Sequence, residues 1–299
     1  MSNNINWQGV YPAITTPFHP DLSVDYDFLK KHVAWLIDQG CHGIVALGSL
    51  GEGATLEHAE KLAILQDCVA SVGERVPVVA GISALSTAEA VKLAKEAAEA
   101  GCQGLMVLPP YVYCSDWREM KAHISAIIHA TPLSCMLYNN PIAYKTDFLP
   151  EQVVELCKEH NNLHAIKESS ADVRRITAIR ALIGDRLKYS VGVDDLIVEG
   201  IAAGATGWIA GLVNAFPKES VALFEKASKG EDVRKLYEWF LPLLRLDVVV
   251  KFVQLIKLTQ EHVGMGSARV RPPRLQIVGT ELAAAEAIIK TALGKRPQI

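Results

Sequence analysis

The feature of this 299-residue chain that most constrains its fold is a regular alternation of short β-rich runs and segments of helical period. Eight such runs occur, each closed by glycine, proline or a polar residue. They are Gly9–Thr15, Gly43–Leu47, Val76–Gly81, Gly104–Leu108, Leu133–Tyr138, Leu163–Lys167, Leu187–Val191 and Gly207–Ala210. The runs are continuously apolar, which is typical of parallel strands buried on both faces.

Helical segments fill the intervals between the runs. They are Tyr26–Gln39, Leu56–Val72, Thr87–Ala100, Trp117–Ala130, Glu151–Glu159, Val173–Ile183 and Leu196–Ala203. Eight strand–helix units predict an α/β fold of one (β/α)₈ TIM barrel. A doubly wound open sheet competes with it, but such a sheet more often carries a G-x-G-x-x-G fingerprint after its first strand. Gly9–Phe18 contains no such sequence.

The residues after the eighth unit predict a helical extension. We expect the barrel to occupy residues 1–230 and the extension to occupy residues 231–299, packed on the barrel. Glu231–Gln260 and Gly279–Leu293 indicate two or three helices. The segment Leu241–Leu258 is apolar on most of its faces, so it packs on the barrel or against another subunit. Because large apolar patches usually mark interfaces, we expect a homo-oligomer.

Composition excludes several classes of function. The chain has 30 basic and 33 acidic residues and a net charge of −3, which offers no basic surface for nucleic acid. No run of 18 apolar residues occurs, so a membrane span or membrane partner is not expected. The six cysteines form no C-x-x-C pair, and the first residues lack the pattern of a signal peptide. These features favour a reducing compartment, the cytoplasm.

Lys167 is the first candidate for chemistry, because the loops at the carboxyl ends of barrel strands carry the active site. It follows the apolar run Leu163–Ile166. Burial lowers the pKa of a lysine and supplies the neutral amine that Schiff-base chemistry needs. The alternative is a lysine at the edge of the strand, solvated or paired with Glu168.

Two further strand ends are candidates. A phenol at Tyr138 can shuttle protons, or it can be a core tyrosine whose hydroxyl finds a backbone acceptor. The glycine-rich turn Gly48–Gly53 can hold a carboxylate on free N–H groups, or it can be a tight connection that needs positive φ angles.

Other chemistries find less support. The histidines show no metal-ligand spacing with carboxylates, so we expect no metal site of that kind. Asp194 and Asp195 have the composition of a magnesium pair, but their position favours capping of the helix that begins at Leu196. A G-x-S-x-G nucleophile motif is absent.

With these motifs, the chain resembles the dihydrodipicolinate synthase / N-acetylneuraminate lyase family from about Gly9 to Arg274. The matching segments are Gly9–Ala13, Thr16–Phe18, Gly48–Glu52, Pro110–Tyr111, Tyr138–Pro141, Ile166–Ser169 and Gly204–Gly207. The resemblance implies a tetrameric class I lyase that acts on a pyruvate-type 2-oxo acid without a metal or organic cofactor.

The resemblance also implies roles for particular residues. Lys167 forms the Schiff base with the 2-oxo group, and Tyr138 relays protons. The substrate-binding residues that it implies are Gly48, Ser49 and Leu50, which form the carboxylate-binding loop, and Ile209, which lines the pocket.

Three positions depart from the pattern of the family's synthases. Leu50 replaces the second hydroxylated residue of the loop, and Val112 replaces a second tyrosine. Ala143 replaces an arginine that holds the carboxylate of the second substrate. Without that bidentate group, recognition of a charged aldehyde should weaken. We therefore expect a 2-oxo acid with an uncharged polar tail and negligible dihydrodipicolinate synthase activity.

The sequence leaves the reaction open. Aldol cleavage or condensation and dehydration all occur in the family, as does deamination of pyrroline-4-hydroxy-2-carboxylate from hydroxyproline breakdown. The rival from another class is a non-catalytic barrel that binds a small molecule for regulation, because a fold alone does not establish catalysis.

Overall fold

The computed structural model describes residues 5–111 and 116–299, and eight parallel strands form its centre. The strands are β1 (Gly9–Pro12), β2 (Ile44–Ala46), β3 (Val78–Ile82), β4 (Gly104–Val107), β5 (Ser134–Asn139), β6 (Leu163–Glu168), β7 (Lys188–Val191) and β8 (Gly207–Ala210). Each of the eight predicted strands is present, with its ends shifted by at most a few residues. Nearly every strand residue is buried, as continuous apolar runs require.

The sheet closes into a barrel. From β2 to β8 each strand pairs with the next strand in the chain, and β8 pairs with β1. The remaining gap between β1 and β2 is bridged just beyond β1, where the Ile14 N–H donates to the Val45 carbonyl at 2.9 Å. The predicted TIM barrel is therefore confirmed. We call the end where the carboxyl ends of the strands meet the mouth of the barrel.

Helices surround the barrel and continue beyond it. They are α1 (Tyr26–Asp38), α2 (His58–Val72), α3 (Thr87–Glu99), α4 (Trp117–His129), α5 (Pro141–Tyr144), α6 (Pro150–Glu159), α7 (Arg174–Ile183), α8 (Ile197–Ala202), α9 (Pro217–Ser228), α10 (Arg234–Leu244), α11 (Phe252–His262) and α12 (Gly279–Gly294). All seven predicted segments are present, and α5 and α9 are additional. Among the described residues, no helix combines the length and apolarity that crossing a membrane requires.

The segment Leu241–Leu258 mostly packs within its own chain. Leu243, Leu244 and Ile256 are fully buried, whereas the exposed apolar residues lie in the turn Val248–Val250. The helices α10 and α11 contact the turns that follow β7 and β8, so the extension covers one side of the mouth. The division at residue 230 stays a prediction.

Candidate active site

Lys167 lies in β6 with its side chain buried at the mouth. Its Nζ atom is 4.3 Å from the centroid of the Tyr138 ring, and Tyr138 is its register partner on β5. Gly192 leaves space for it, since a Cβ atom there would lie 2.5 Å from Lys167 Cε. Burial lowers the pKa of Lys167 to about 8, although the carboxylates of Asp247 and Asp194 act in the opposite direction. The mouth thus holds an amine that loses its proton easily.

Glu168 does not pair with this lysine. Its carboxylate accepts hydrogen bonds from Asn139 Nδ2 at 3.1 Å and from the Ser170 N–H at 2.7 Å, and burial raises the pKa of Glu168. The alternative of a solvated or Glu168-paired lysine at the strand's edge is therefore wrong. Successive residues of β6 point to opposite sides of the sheet, which separates the amine from the carboxylate next to it.

Tyr138 places its phenol beside the amine at the end of β5. The phenol oxygen accepts a hydrogen bond from Asn140 Nδ2 at 2.9 Å, so its partner is a side chain and not a backbone carbonyl. Burial raises the pKa of Tyr138 to about 12, while Asn140 and Ser169 act to lower it. A neutral phenol in this position can donate and accept a proton within one reaction cycle.

The turn after β2 is tight for a different reason from the one predicted. Positive φ angles occur at Leu47 (64°) and Glu52 (56°), not at its glycines. The glycines permit close packing instead: a Cβ atom on Gly51 would lie 2.9 Å from the Ile14 carbonyl oxygen, and one on Gly53 would overlap the Leu47 carbonyl. Close approach of backbone to backbone is the second use of glycine in a turn.

The same turn leaves donors free. The Glu52 N–H donates to Ser49 O at 3.1 Å, and the Gly53 N–H donates to Gly48 O at 3.3 Å. The N–H groups of Ser49 and Leu50 have no acceptor within the two described ranges. Adjacent free N–H groups attract an anion, so the geometry agrees with a carboxylate-binding loop.

Glu52 anchors this loop to the C-terminal extension. Lys257 Nζ donates to Glu52 Oε1 at 2.6 Å and to the Arg269 carbonyl at 2.7 Å. The Arg271 N–H donates to the other oxygen of Glu52 at 3.0 Å. Both charged side chains of the pair are buried, and burial lowers the pKa of Lys257 to about 8. Glu52 belongs to the family motif of this loop, and in the structure it is one partner of a buried ion pair.

Tyr144 follows Ala143 in the region where the sequence departs from the family's synthases, and the structure makes it a member of the site. Its hydroxyl is hydrogen-bonded to Ser49 Oγ, and its ring meets the Tyr138 ring edge to face with centroids 5.8 Å apart. Burial raises the pKa of Tyr144 strongly. The residue lies at the end of α5, a four-residue helix capped by the Asn140 side chain. Such a helix is too short to show any periodicity in the sequence.

The positions that depart from the family's synthases do not restore a cation beside Tyr138. Ala143 is exposed on α5, and the Lys145 ammonium is exposed and donates to the Ile142 carbonyl at 3.1 Å. Leu50 is buried in the loop. Val112 lies outside the described residues, as does Tyr113.

Asp194 does not cap a helix, so that interpretation is wrong. Its carboxylate accepts hydrogen bonds from Trp208 Nε1 at 3.0 Å, the Gly211 N–H at 3.1 Å and the Leu212 N–H at 2.8 Å. Burial raises the pKa of Asp194 to about 6. The side chain therefore fixes the end of β8 at the mouth. Ile209 is a buried residue of that strand, opposite Tyr11, and its place in a substrate pocket stays a prediction.

Two other observations limit the choice of site. Among the described residues, no group of three or more His, Cys, Asp or Glu side chains is arranged to hold a metal ion. A cavity of about 540 Å³ lies at the opposite end of the barrel, lined by residues that include Gly9, His42 and Lys188. Barrel enzymes place their chemistry at the mouth, and the amine, the phenols and the free N–H groups lie there.

Comparisons with known proteins agree with this arrangement. A barrel with such a lysine at its mouth is the architecture of class I aldolases and lyases. The chain belongs to the dihydrodipicolinate synthetase family, whose model matches residues 6–292. A 4-hydroxy-tetrahydrodipicolinate synthase of Methanococcus maripaludis is 31% identical over 268 residues, 89% of this chain and 92% of the relative.

Solved structures give the same result. The dihydrodipicolinate synthase of Bacillus anthracis superposes with a TM-score of 0.92 at 28% identity, over 99% of this chain and 100% of that one. The chloride-inhibited dihydrodipicolinate synthase of Acinetobacter baumannii, complexed with pyruvate, has a TM-score of 0.90 at 27% identity, over 96% and 99% of the two chains.

Proposed function

We propose that this enzyme forms an imine between Lys167 and a pyruvate-type 2-oxo acid, and that it cleaves, condenses or dehydrates a hydroxylated acid through that imine. The observation that carries the proposal is the buried Lys167 amine, 4.3 Å from the centre of the Tyr138 ring. With a pKa of about 8, roughly a tenth of the amine is neutral at pH 7, against less than a thousandth for an ordinary lysine. The pyruvate complex of the Acinetobacter relative supports the same class of ligand.

The neighbouring groups fit the remaining tasks. The free N–H groups of Ser49 and Leu50 would hold the carboxylate of the acid, with Gly48 allowing its approach. Tyr138 would carry protons between the imine nitrogen and the substrate. The Tyr144 ring packs on the Tyr138 ring and its hydroxyl is hydrogen-bonded to Ser49 Oγ, so these two hydroxyls would supply a second route for that proton. No step of this scheme requires a metal or organic cofactor.

We further propose that dihydrodipicolinate synthesis is not the main activity. Several relatives carry the synthase name, but this chain has Ala143 where such synthases carry an arginine, and Lys145 faces the Ile142 carbonyl. Loss of one charge-assisted hydrogen bond costs about 10- to 150-fold in binding. An anionic aldehyde is therefore a poor second substrate, and a single hydroxylated 2-oxo acid or its cyclic imine is a better one.

Borohydride trapping tests the imine directly. Incubation with pyruvate and then borohydride should add one reduced adduct per chain, which intact mass measures and peptide mapping should locate at Lys167. The neutral amine is the reason for this selectivity. An adduct at another lysine, or no adduct with pyruvate or a hydroxylated 2-oxo acid, would contradict the proposal.

Tyr144→Phe tests the proposed proton route. It removes one hydroxyl and keeps the ring that packs on Tyr138, so kcat should fall about 10²-fold, the lower range for one acid–base group. Pyruvate trapping should persist. Tyr189→Phe is the matched control, because that hydroxyl donates to the Gly184 carbonyl away from the mouth. Equal kcat for wild type and Tyr144→Phe would remove Tyr144 from the route.

Assembly and compartment remain proposals. We propose a homotetramer on the family resemblance, since the apolar segment that suggested an interface packs mostly within its own chain, with Val248–Val250 as its exposed part. The five described cysteines are buried free thiols, which suits the reducing cytoplasm.

A further inference from the structure

One carboxyl group reaches the site from the connector between α10 and α11. Asp247 lies in this connector, and its Oδ1 atom is fully buried without a hydrogen-bond partner within residues 5–111 and 116–299. Any Cβ atom on Gly211 would collide with this oxygen, so the carboxyl rests on the backbone just after β8. The next three residues, Val248–Val250, are exposed. The connector thus turns one polar side chain inward.

Asp247 influences the protonation of both reactive groups. Its carboxylate acts to raise the pKa of Lys167, as that of Asp194 does, and it also acts to raise the pKa of Tyr138. The two acids differ in their bonding, because the Asp194 carboxylate already accepts three hydrogen bonds. A buried polar atom without a partner is costly and rare. The hydrogen-bond partner of Asp247 Oδ1 is therefore expected to be a group of the substrate.

The positions of the binding groups around the mouth limit which part of the substrate can contact Asp247. The carboxylate of a 2-oxo acid is assigned to the turn after β2, and its second carbon to Lys167 on β6. Asp247 lies beside the end of β8, apart from both positions. Asp247 is therefore placed to contact the carbon chain of the substrate beyond C3.

We propose that Asp247 binds a hydroxyl group on the chain of the imine-bound acid beyond C3, so that the substrates are 2-oxo acids with an uncharged, hydroxylated tail. The inference rests on the proposed function, because it presumes the Lys167 imine. A hydroxyl both donates and accepts, so it satisfies a carboxyl in either protonation state. Burial, and then the charge of Asp194, raise the pKa of Asp247 well above its ordinary value.

The test compares an acid with a tail and an acid without one. Asp247→Asn and Asp247→Ala are assayed for turnover of 4,5-dihydroxy-2-oxopentanoate and for borohydride trapping of pyruvate. We expect kcat/KM for the dihydroxy acid to fall about 10- to 150-fold in Asp247→Ala, which loses the hydrogen bond, and to fall less in Asp247→Asn, which keeps an acceptor and a donor. Pyruvate has no tail, so its trapping should stay within about threefold of wild type. Gly211→Ala should reproduce the selective loss, because its methyl group displaces the Asp247 carboxyl.

Asp195→Asn is the matched control. It removes a nearby carboxylate that pairs with Arg245 at 3.6 Å, and it should leave both readouts unchanged. A parallel fall in pyruvate trapping for Asp247→Ala would show that Asp247 acts through Lys167, and unchanged kinetics of Asp247→Ala would show that it touches no substrate. Either result overturns the inference, as does a wild-type enzyme that traps pyruvate but turns over no hydroxylated acid. Failure of the wild type to trap pyruvate counts instead against the imine.

Discussion

Replacing Lys167 with methionine is expected to lower kcat/KM for any 2-oxo acid substrate by about 10⁴-fold or more, because the covalent route is lost altogether. Methionine fills a similar volume and places no charge in the buried mouth, so the melting temperature should not fall. Steady-state turnover and thermal unfolding measure the two effects. Lys158→Met removes an exposed lysine at the end of α6 and is the control. Residual turnover within tenfold of wild type would show that the chemistry does not pass through Lys167.

The wild-type enzyme offers a second readout of the same amine. Only the neutral form attacks a carbonyl, and it accumulates as the pH rises through the pKa of about 8. The rate of pyruvate trapping should therefore rise about tenfold from pH 7 to pH 9 and then level off. A lysine of ordinary pKa would give a rate that still climbs steeply above pH 9.

Glu52→Gln is expected to lower the free energy of unfolding by about 3–5 kcal/mol, the usual cost of removing one partner from a buried ion pair. The change removes the negative charge, so the buried Lys257 ammonium keeps neutral acceptors such as the Arg269 carbonyl but loses its counter-ion. Urea denaturation measures the effect. Glu281→Gln is the matched control, because Glu281 pairs with Lys251 at 2.5 Å while both side chains are about half exposed. Exposed pairs contribute about 0–1 kcal/mol.

A double-mutant cycle separates the pair from its surroundings. Lys257→Met alone should also be costly, but Glu52→Gln with Lys257→Met should cost less than the sum of the two, since the second change removes the stranded charge. Additive losses would mean that the two groups are not coupled in solution, contrary to their separation of 2.6 Å.

The barrel could be predicted from the sequence because each strand is a local signal. Runs such as Leu163–Lys167 are apolar throughout, and only burial on both faces of a parallel sheet explains that pattern. The position of Lys167 could be predicted for the same reason, because a lysine at the end of such a run must lie at the mouth of the barrel. The family motifs supported the assignment, and the structure places the Gly48–Leu50 loop and Tyr138 at the same end of the barrel.

The rest of the site depends on contacts between distant parts of the chain. Tyr144 reaches Ser49 from a helix of four residues, and nothing in its local sequence distinguishes it from a surface tyrosine. Asp194 comes just before a helix, which is a typical position for a capping residue. Its carboxylate instead accepts a hydrogen bond from the Leu212 N–H, just after β8. Asp247 lies in an apolar segment, and its carboxyl meets the backbone after β8 because α10 and α11 pack on the turns that follow β7 and β8. Such positions follow from tertiary packing, which the local sequence pattern does not encode.

The ion pair between Glu52 and Lys257 also bears on the order in which the protein is completed during synthesis. All eight strands have left the ribosome by the time Ala210 emerges, yet Glu52 would still lack its ammonium partner and its Arg271 N–H donor. A carboxylate buried without a partner is unfavourable. The nascent barrel is therefore expected to keep the turn after β2 open until Lys257 and Arg271 have emerged, so that this turn is completed by residues translated after all eight strands.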